Sequence, residues 1–109
     1  MKDDLAFIEH ILLCIDKIQQ YTKNMTPQDF NNDELIQDAV IRNIEIIGEA
    51  SKKISKDLKS QYHEIPWKEM SGMRDKLIHD YFGVDVDVVW QTVKEDIPYL
   101  KSLIEGIDK

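Results

Sequence analysis

The sequence predicts an all-α fold, in which one domain over residues 1–109 forms an antiparallel bundle of four to five helices. Apolar residues recur at helical spacing in four segments that together cover nearly the whole chain. The chain has only four glycines and three prolines, and 42% of its 109 residues are hydrophobic. A chain of this length and composition can bury a core without disulfide bonds. We find no internal repeat and no linker that would divide it.

The first segment places apolar residues on one helical face close to the start of the chain. These positions are Leu5, Ile8, Leu12, Ile15 and Ile18. Further on, Thr26 followed by Pro27 is typical of a helix cap and of a first helical residue. The pair therefore predicts a short helical turn around Phe30.

A second long helix is expected to begin near Asp33, and its apolar stripe is unusually wide. The stripe comprises Leu35, Ile36, Ala39, Val40, Ile44, Ile47, Ile54 and Leu58. Such a width indicates burial on two sides, as in a bundle or at a dimer interface. Gly48 lies within the stripe, where a glycine costs about 1 kcal/mol relative to alanine. A close approach by another helix would explain it, with chance occurrence as the alternative.

Two further helices complete the predicted bundle. The third opens at Pro66 and continues to Gly83, a residue that can end a helix. Residues 84–88 alternate with the period of a strand, yet the apolar residues of a longer window fit helical spacing, and Asp85 is a suitable N-cap. We therefore predict a fourth helix, which Pro98 kinks or restarts.

Charge and cysteine content exclude several classes of protein. The formal net charge of −7 would repel nucleic acid and membrane surfaces, so any role on RNA must come from a local group of residues. Cys14 is the single cysteine, which excludes an internal disulfide, and with His10 it offers too few ligands for a metal. The chain start does not resemble a signal peptide, and no apolar run approaches the roughly 20 residues that span a bilayer. We expect a cytoplasmic protein with no membrane role, no DNA role, no metal and no cofactor.

One segment carries residues that packing alone does not explain. On a helical wheel Arg74 falls within an apolar arc, where a cation is costly unless it is paired or borders a polar cleft. Asp75 and His79 are four residues apart and share a face, so the carboxylate could hold the imidazole. A neutral imidazole can take the proton from a ribose 2′-hydroxyl, and a guanidinium can stabilise the charged phosphate without a metal. The alternative is a structural ion pair between Arg74 and an acid of another helix.

In this structural alternative, Arg74 pairs with Glu45 or Glu49, and His79 only caps polar surface.

A group of lysines is also open to two interpretations. Lys52, Lys53, Lys56 and Lys59 give residues 52–59 a net charge of +3 after Asp57 is counted. They form either a contact surface for RNA or a partner, or a solvated helix end where lysines favour the helix dipole.

The segment from Gly72 to Tyr81, GMRDKLIHDY, resembles the R-x4-H-x-Y signature of the HepT family within the HEPN superfamily. The similarity continues in Gln37–Ala50, which resembles the second-helix signature of that family, and in Ile65-Pro66-Trp67 before the motif. The stretches Val89-Trp90 and Asp96-Ile97-Pro98 resemble its closing helix. Agreement in order over almost the whole chain is far more specific than the R-x4-H spacing alone.

The resemblance implies a homodimeric bundle of HEPN type and a toxin ribonuclease of a type VII-like toxin–antitoxin system. Its antitoxin would be an MntA-type minimal nucleotidyltransferase, which transfers AMP from ATP to the motif tyrosine. The implied roles are Arg74 and His79 as the catalytic pair, Asp75 as the supporting polar position and Tyr81 as the residue that becomes O-AMP-tyrosine. Many relatives have asparagine after the arginine, so Asp75 departs from the pattern. The alternative function is a non-catalytic nucleotide-binding or regulatory partner of such a nucleotidyltransferase.

Overall fold

The computed structural model describes residues 2–77 and 83–107, and helices contain most of them. In chain order they are α1 Lys2–Thr22, α2 Pro27–Asn31, α3 Glu34–Lys53, α4 Lys56–Gln61, α5 Trp67–Ser71, α6 Met73–Leu77, α7 Val86–Gln91 and α8 Ile97–Glu105. A π-helical turn, Thr92–Asp96, joins the last two. The all-α prediction is confirmed. No helix in the described part of the chain is long and apolar enough to cross a membrane.

Helices α1 and α3 form the centre of the fold and run antiparallel. The start of α1 meets the chain just beyond the end of α3, because Asp4 accepts hydrogen bonds from the backbone N–H and the side-chain hydroxyl of Ser55, the N-cap of α4. Between them the two helices bury mainly isoleucines, among them Ile8, Ile11, Ile15, Ile18, Ile44 and Ile47. The remaining helices pack around this pair, so the core is one continuous cluster.

The apolar faces of α1 and α3 are narrower than the sequence pattern suggests. Leu5 is exposed, and Leu35 is 79% exposed, so the predicted stripes were wrong at these positions. Each residue lies near the first turn of its helix, on the side away from the core. Leu58 belongs to α4 instead of the second long helix, because α3 ends at Lys53 with Ile54 in an extended conformation.

Capping residues set the helix starts, as predicted. Thr26 and Asp29 form a reciprocal capping box, in which each side chain accepts a hydrogen bond from the other residue's backbone N–H. Asp33 caps α3 through the N–H of Ile36, and Asp85 caps α7 through the N–H of Val88. Of the residues with strand-like alternation, 84–88, the last three are the start of helix α7, and the first two precede it.

The third predicted helix is interrupted. Helix α5 ends at Ser71, Gly72 closes it through its N–H to the carbonyl of Lys68, and a new helix begins at Met73. Residues 78–82 lie outside the described part, so the predicted course of this segment toward Tyr81 stays a prediction. Gly83, the expected stop, has a φ of +117°, a conformation that favours glycine.

The π-helical turn is the local effect of Pro98. Proline has no N–H, so the carbonyl one turn earlier loses its α-helical donor. The chain responds with wider turns, and the N–H of Ile97 bonds to the carbonyl of Thr92, five residues before it. The predicted distortion at Pro98 is thus confirmed, and it precedes the proline.

Gly48 marks the closest approach between α3 and α5. A Cβ atom built on Gly48 would lie 3.2 Å from the carbonyl oxygen of Ser71 and 3.3 Å from that of Met70. These neighbours are backbone atoms, which cannot swing aside as a side chain can. The expectation of a close helix approach is confirmed, and it fixes the end of α5 against α3.

The buried contact of Asp4 predicts a pH-dependent stability. Burial alone raises the pKa of this carboxyl, but the two hydrogen bonds from Ser55 and the charge of Lys59 outweigh it and bring the pKa below its ordinary value of 3.8. A lowered pKa in the folded state stabilises the protein above pH 4, and this contribution is lost as the pH falls through the folded value. Asp4→Asn should reduce the free energy of unfolding at pH 7 by about 1–2 kcal/mol and flatten its decline below pH 5.

Urea denaturation between pH 3 and pH 7 measures both effects. Asp3→Asn is the matched control, because Asp3 is the exposed neighbour and carries the same charge. That variant should follow the wild type at every pH. An Asp4→Asn variant with wild-type pH dependence would contradict the role given to Ser55.

Candidate functional site

Arg74 lies at the surface, in an ion pair with Glu45 of α3. Its side chain is 50% exposed, and its Nε donates a hydrogen bond of 2.5 Å to Oε2 of Glu45. The sequence had left two acids as possible partners, and the structure selects Glu45 over Glu49. Pairing removes the cost of a cation beside the core and leaves part of the guanidinium accessible.

The break at Gly72 explains why Arg74 is not buried. On one continuous helix from Met70, Arg74 would lie within the apolar arc, as the wheel predicted. Because α6 starts anew at Met73, its buried face consists of Met73 and Leu77, and Arg74 projects beside that face toward α3. The prediction that Arg74 is either paired or beside a polar cleft is confirmed on both counts.

A polar pocket of about 410 Å³ surrounds the ion pair. Three cations and three acids line it: Arg42, Lys52, Arg74, Glu45, Glu49 and Asp75. Gly48 and Ser71 contribute to its floor, so the close approach of α5 to α3 forms part of the pocket. The opposite charges balance, and the pocket has none of the strong positive field of a general RNA-binding surface.

A second guanidinium shares the same carboxylate. Nη1 of Arg42 lies 3.7 Å from Oε1 of Glu45, while Arg74 is bonded to Oε2. Arg42 and Glu45 are three residues apart on α3, so the geometry follows from the helix. Sequence reasoning did not select Arg42. The i, i+3, i+7, i+10 spacing of residues 42, 45, 49 and 52 was the signal that could have found it.

Asp75 and the rest of the motif are placed differently. The Asp75 side chain is 83% exposed, and its Oδ1 lies 4.0 Å from Nη1 of Arg74, at the outer limit of an ion pair. His79 and Tyr81 lie outside the described residues. The structure therefore does not test whether His79 meets Arg74 or Asp75.

The four predicted lysines do not act as one surface. Lys52 lines the pocket and pairs with Glu49 at 3.4 Å. Lys53 instead lies over the ring of Phe7, 5.9 Å from its centroid. The charge of Lys59 acts on Asp4, and Lys56 is exposed at the start of α4. Only Lys52 is brought together with Arg74.

Metal binding finds no support in the described side chains. Among residues 2–77 and 83–107, no group of three or more His, Cys, Asp or Glu side chains could hold a metal ion. Cys14 is buried and His10 is exposed, so the pair does not converge. Burial raises the pKa of the Cys14 thiol, which keeps it in the unreactive neutral form.

Comparisons with known proteins agree on one family. The sequence model of the family described as Ribonuclease HepT-like matches residues 11–107. A protein of Thermococcus cleftensis named "Probable ribonuclease HepT" is 54% identical over 103 residues, covering 94% of each chain. "Putative RNase MJ1216" of Methanocaldococcus jannaschii is 51% identical over 99% of this chain and 89% of its own.

A third relative also matches nearly end to end, at lower identity. "Putative RNase TTE0752" of Caldanaerobacter subterraneus is 39% identical over 98% of this chain and 96% of its own. No solved structure gives a significant match. Because the family model covers most of the chain and the relatives match nearly end to end, this chain belongs to the HepT-like ribonuclease family.

Proposed function

We propose that this protein is a metal-independent endoribonuclease and the toxin of a type VII-like HEPN/MNT toxin–antitoxin system. The observation that carries the proposal is the placement of Arg74, the motif arginine of a ribonuclease family, half exposed beside a polar pocket and held there by Glu45. A structural arginine would be satisfied by its partner, whereas this one keeps donors accessible to a phosphate.

The proposed reaction is an internal phosphoryl transfer within RNA. His79 takes the proton from a ribose 2′-hydroxyl, and the resulting oxygen attacks the adjacent phosphorus. Arg74 stabilises the extra negative charge on the phosphate oxygens. The bond to the 5′-oxygen breaks, that oxygen takes a proton from water, and His79 releases its proton to solvent. The products carry a 2′,3′-cyclic phosphate and a 5′-hydroxyl. No metal or cofactor takes part.

The proposal includes a homodimer whose two copies place their motifs at one cleft. The resemblance to HEPN proteins supports this arrangement, in which RNA meets two Arg74 guanidiniums. The balanced charge of the pocket and the net charge of −7 favour weak, salt-sensitive RNA binding outside that cleft. We place this activity in the cytoplasm, where RNA and ATP are both available.

Neutralisation is proposed to act on Tyr81. An MntA-type nucleotidyltransferase would transfer AMP from ATP to the Tyr81 hydroxyl, with release of pyrophosphate. The added phosphate carries negative charge, which would attract Arg74 and occupy the path of the RNA phosphate. The R-x4-H-x-Y spacing supports this assignment.

Purified wild-type protein should cleave RNA in the presence of EDTA and yield 2′,3′-cyclic phosphate ends. After incubation with ATP and the cognate nucleotidyltransferase, Tyr81 should gain AMP and cleavage should stop. Gel analysis of the RNA and peptide mass spectrometry measure the two results, and Tyr99→Phe, which alters an exposed tyrosine of α8, serves as the control.

The outcomes of these experiments distinguish a ribonuclease from a regulatory partner of a nucleotidyltransferase. If the purified protein is free of AMP and still does not cleave RNA, and Tyr81 then gains AMP on incubation with ATP and the nucleotidyltransferase, the ribonuclease proposal is overturned in favour of a regulatory partner. Cleavage that depends on a divalent metal would contradict the proposed mechanism. Modification at another residue would contradict the role of Tyr81.

A further inference from the structure

Glu45 occupies a position between two guanidinium groups. Its Oε2 accepts the Nε–H of Arg74, and its Oε1 faces Nη1 of Arg42 at 3.7 Å. The hydrogen bond with Arg74 orients the carboxylate, and the longer contact with Arg42, whose side chain is 71% exposed, adds a weaker attraction. Its side chain is 28% exposed, so it is partly shielded from water by the close packing of α3 and α5.

The atom through which Arg74 binds Glu45 determines which donors of the guanidinium remain for a phosphate. A guanidinium has five N–H donors, one on Nε and four on the two Nη atoms. Within residues 2–77 and 83–107, Glu45 takes only the Nε donor, and the other ion-pair contact of Arg74, from Nη1 to Asp75, is 4.0 Å long. Two of the four Nη hydrogens, one on each Nη atom, form the edge that matches a phosphate in a bidentate manner. The ion pair thus fixes the plane of the guanidinium without consuming that edge.

From this geometry we infer that Glu45 is the positioning residue for Arg74, with Arg42 near the other oxygen of the same carboxylate. The inference rests on the proposed ribonuclease function. Glu45 does not touch the RNA. It holds the guanidinium plane so that the Nη groups meet the phosphate oxygens where charge develops, which avoids reorganisation during the reaction.

A purely stabilising role is a poor explanation of this ion pair. Arg74 is half exposed, and ion pairs at that level of exposure contribute about 0–1 kcal/mol to folding. The nearby pair of Glu49 and Lys52 offers the same chemistry one turn along α3, but Glu49 is 68% exposed and, in the described part of the chain, is paired with a lysine and not with Arg74. The two glutamates line the same pocket and differ in whether they hold Arg74.

This difference provides a matched test. Glu45→Gln removes the charge but keeps the size and shape of the side chain, and it should lower kcat for RNA cleavage by roughly 10- to 100-fold with less than a threefold change in KM. Glu49→Gln makes the same change and should stay within twofold of the wild type. Equal losses of kcat in Glu45→Gln and Glu49→Gln would show that the charge of the pocket affects the rate and that the positioning of Arg74 does not.

A double-mutant cycle shows whether Glu45 acts through Arg74. If it does, Glu45→Gln should have no further effect on the residual cleavage rate once Arg74→Ala is present. A further tenfold loss in that background would overturn the inference, because Glu45 would then act by another route. Unfolding midpoints of all variants should agree closely, which separates positioning from destabilisation.

An NMR measurement that does not depend on activity tests the positioning role of Glu45 separately from the proposed ribonuclease function. In 1H–15N NMR spectra, the Arg74 Nε–H should exchange slowly in the wild type and in Glu49→Gln, and quickly in Glu45→Gln. Wild-type protein without ribonuclease activity would refute the proposed function, while the NMR result would still decide whether Glu45 holds Arg74. Retained cleavage in Glu45→Gln, together with fast exchange, would overturn the positioning role alone.

Discussion

Replacing Arg74 with alanine is expected to lower the rate of RNA cleavage by about 10²–10³-fold, the usual effect of removing one preorganised donor from a charged transition state. The variant should fold, because the Arg74 side chain is half exposed and its partner Glu45 can be solvated and stays next to Arg42. Cleavage of a defined RNA measures the rate, and circular dichroism with an unfolding curve establishes that the helices persist.

Lys76→Ala is the matched control for this substitution. Lys76 is an exposed cation on the same short helix, two residues further on, so its removal changes the net charge equally. Its loss should change the rate only slightly at moderate salt. His79→Ala should lose about 10²–10⁴-fold if the imidazole is the base. Full activity in Arg74→Ala would remove the basis of the proposed mechanism.

Phe30→Ala is expected to cause the largest loss of stability, about 3–5 kcal/mol. Phe30 is fully buried on the short helix α2, and its ring meets that of Trp90 with centroids 5.2 Å apart. Removing it leaves a cavity at the contact of α2 with α7, and close-packed neighbours relax only partly into such a space. A loss of this size is a large share of the 5–15 kcal/mol that stabilises a typical domain.

Urea denaturation provides the measurement, read as a lower midpoint at unchanged slope. Leu35→Ala is the control, since Leu35 is a large apolar residue on the next helix but mostly exposed, and its loss should be within about 0.5 kcal/mol. A stability loss below about 1 kcal/mol for Phe30→Ala would mean that the α2–α7 contact is not part of the cooperative core.

The features that the sequence predicted well are those decided within a few residues. The caps at Thr26, Asp33 and Asp85 depend on a side chain and a backbone N–H three residues away, so the local sequence determines them. The distortion at Pro98 has an equally local cause, the missing N–H. The all-α class follows from such signals repeated along the chain.

The features that the sequence could not decide depend on how helices meet. Periodicity cannot show which apolar residue turns outward, so the exposure of Leu35 was missed. A helical wheel assumes an unbroken helix, so the restart after Gly72 was missed as well. Glu45 and Glu49 share one face of α3, and the position of α6 along that face selects between them. The family resemblance identified Arg74, and tertiary contacts identified its partner.

The contact at Gly48 has a consequence for how this sequence can vary over evolution. Exchanges among isoleucine, leucine and valine in the core can be absorbed by neighbouring side chains, because volume is what such positions must conserve. Gly48 faces main-chain carbonyls, which are the same whatever residues stand at positions 70 and 71. Substitutions elsewhere therefore cannot compensate for a side chain at this position. Because Glu45 lies one turn before Gly48, a side chain at position 48 is expected to disturb the approach that brings Arg74 to Glu45, whereas volume-conserving exchanges in the core are expected to leave it intact.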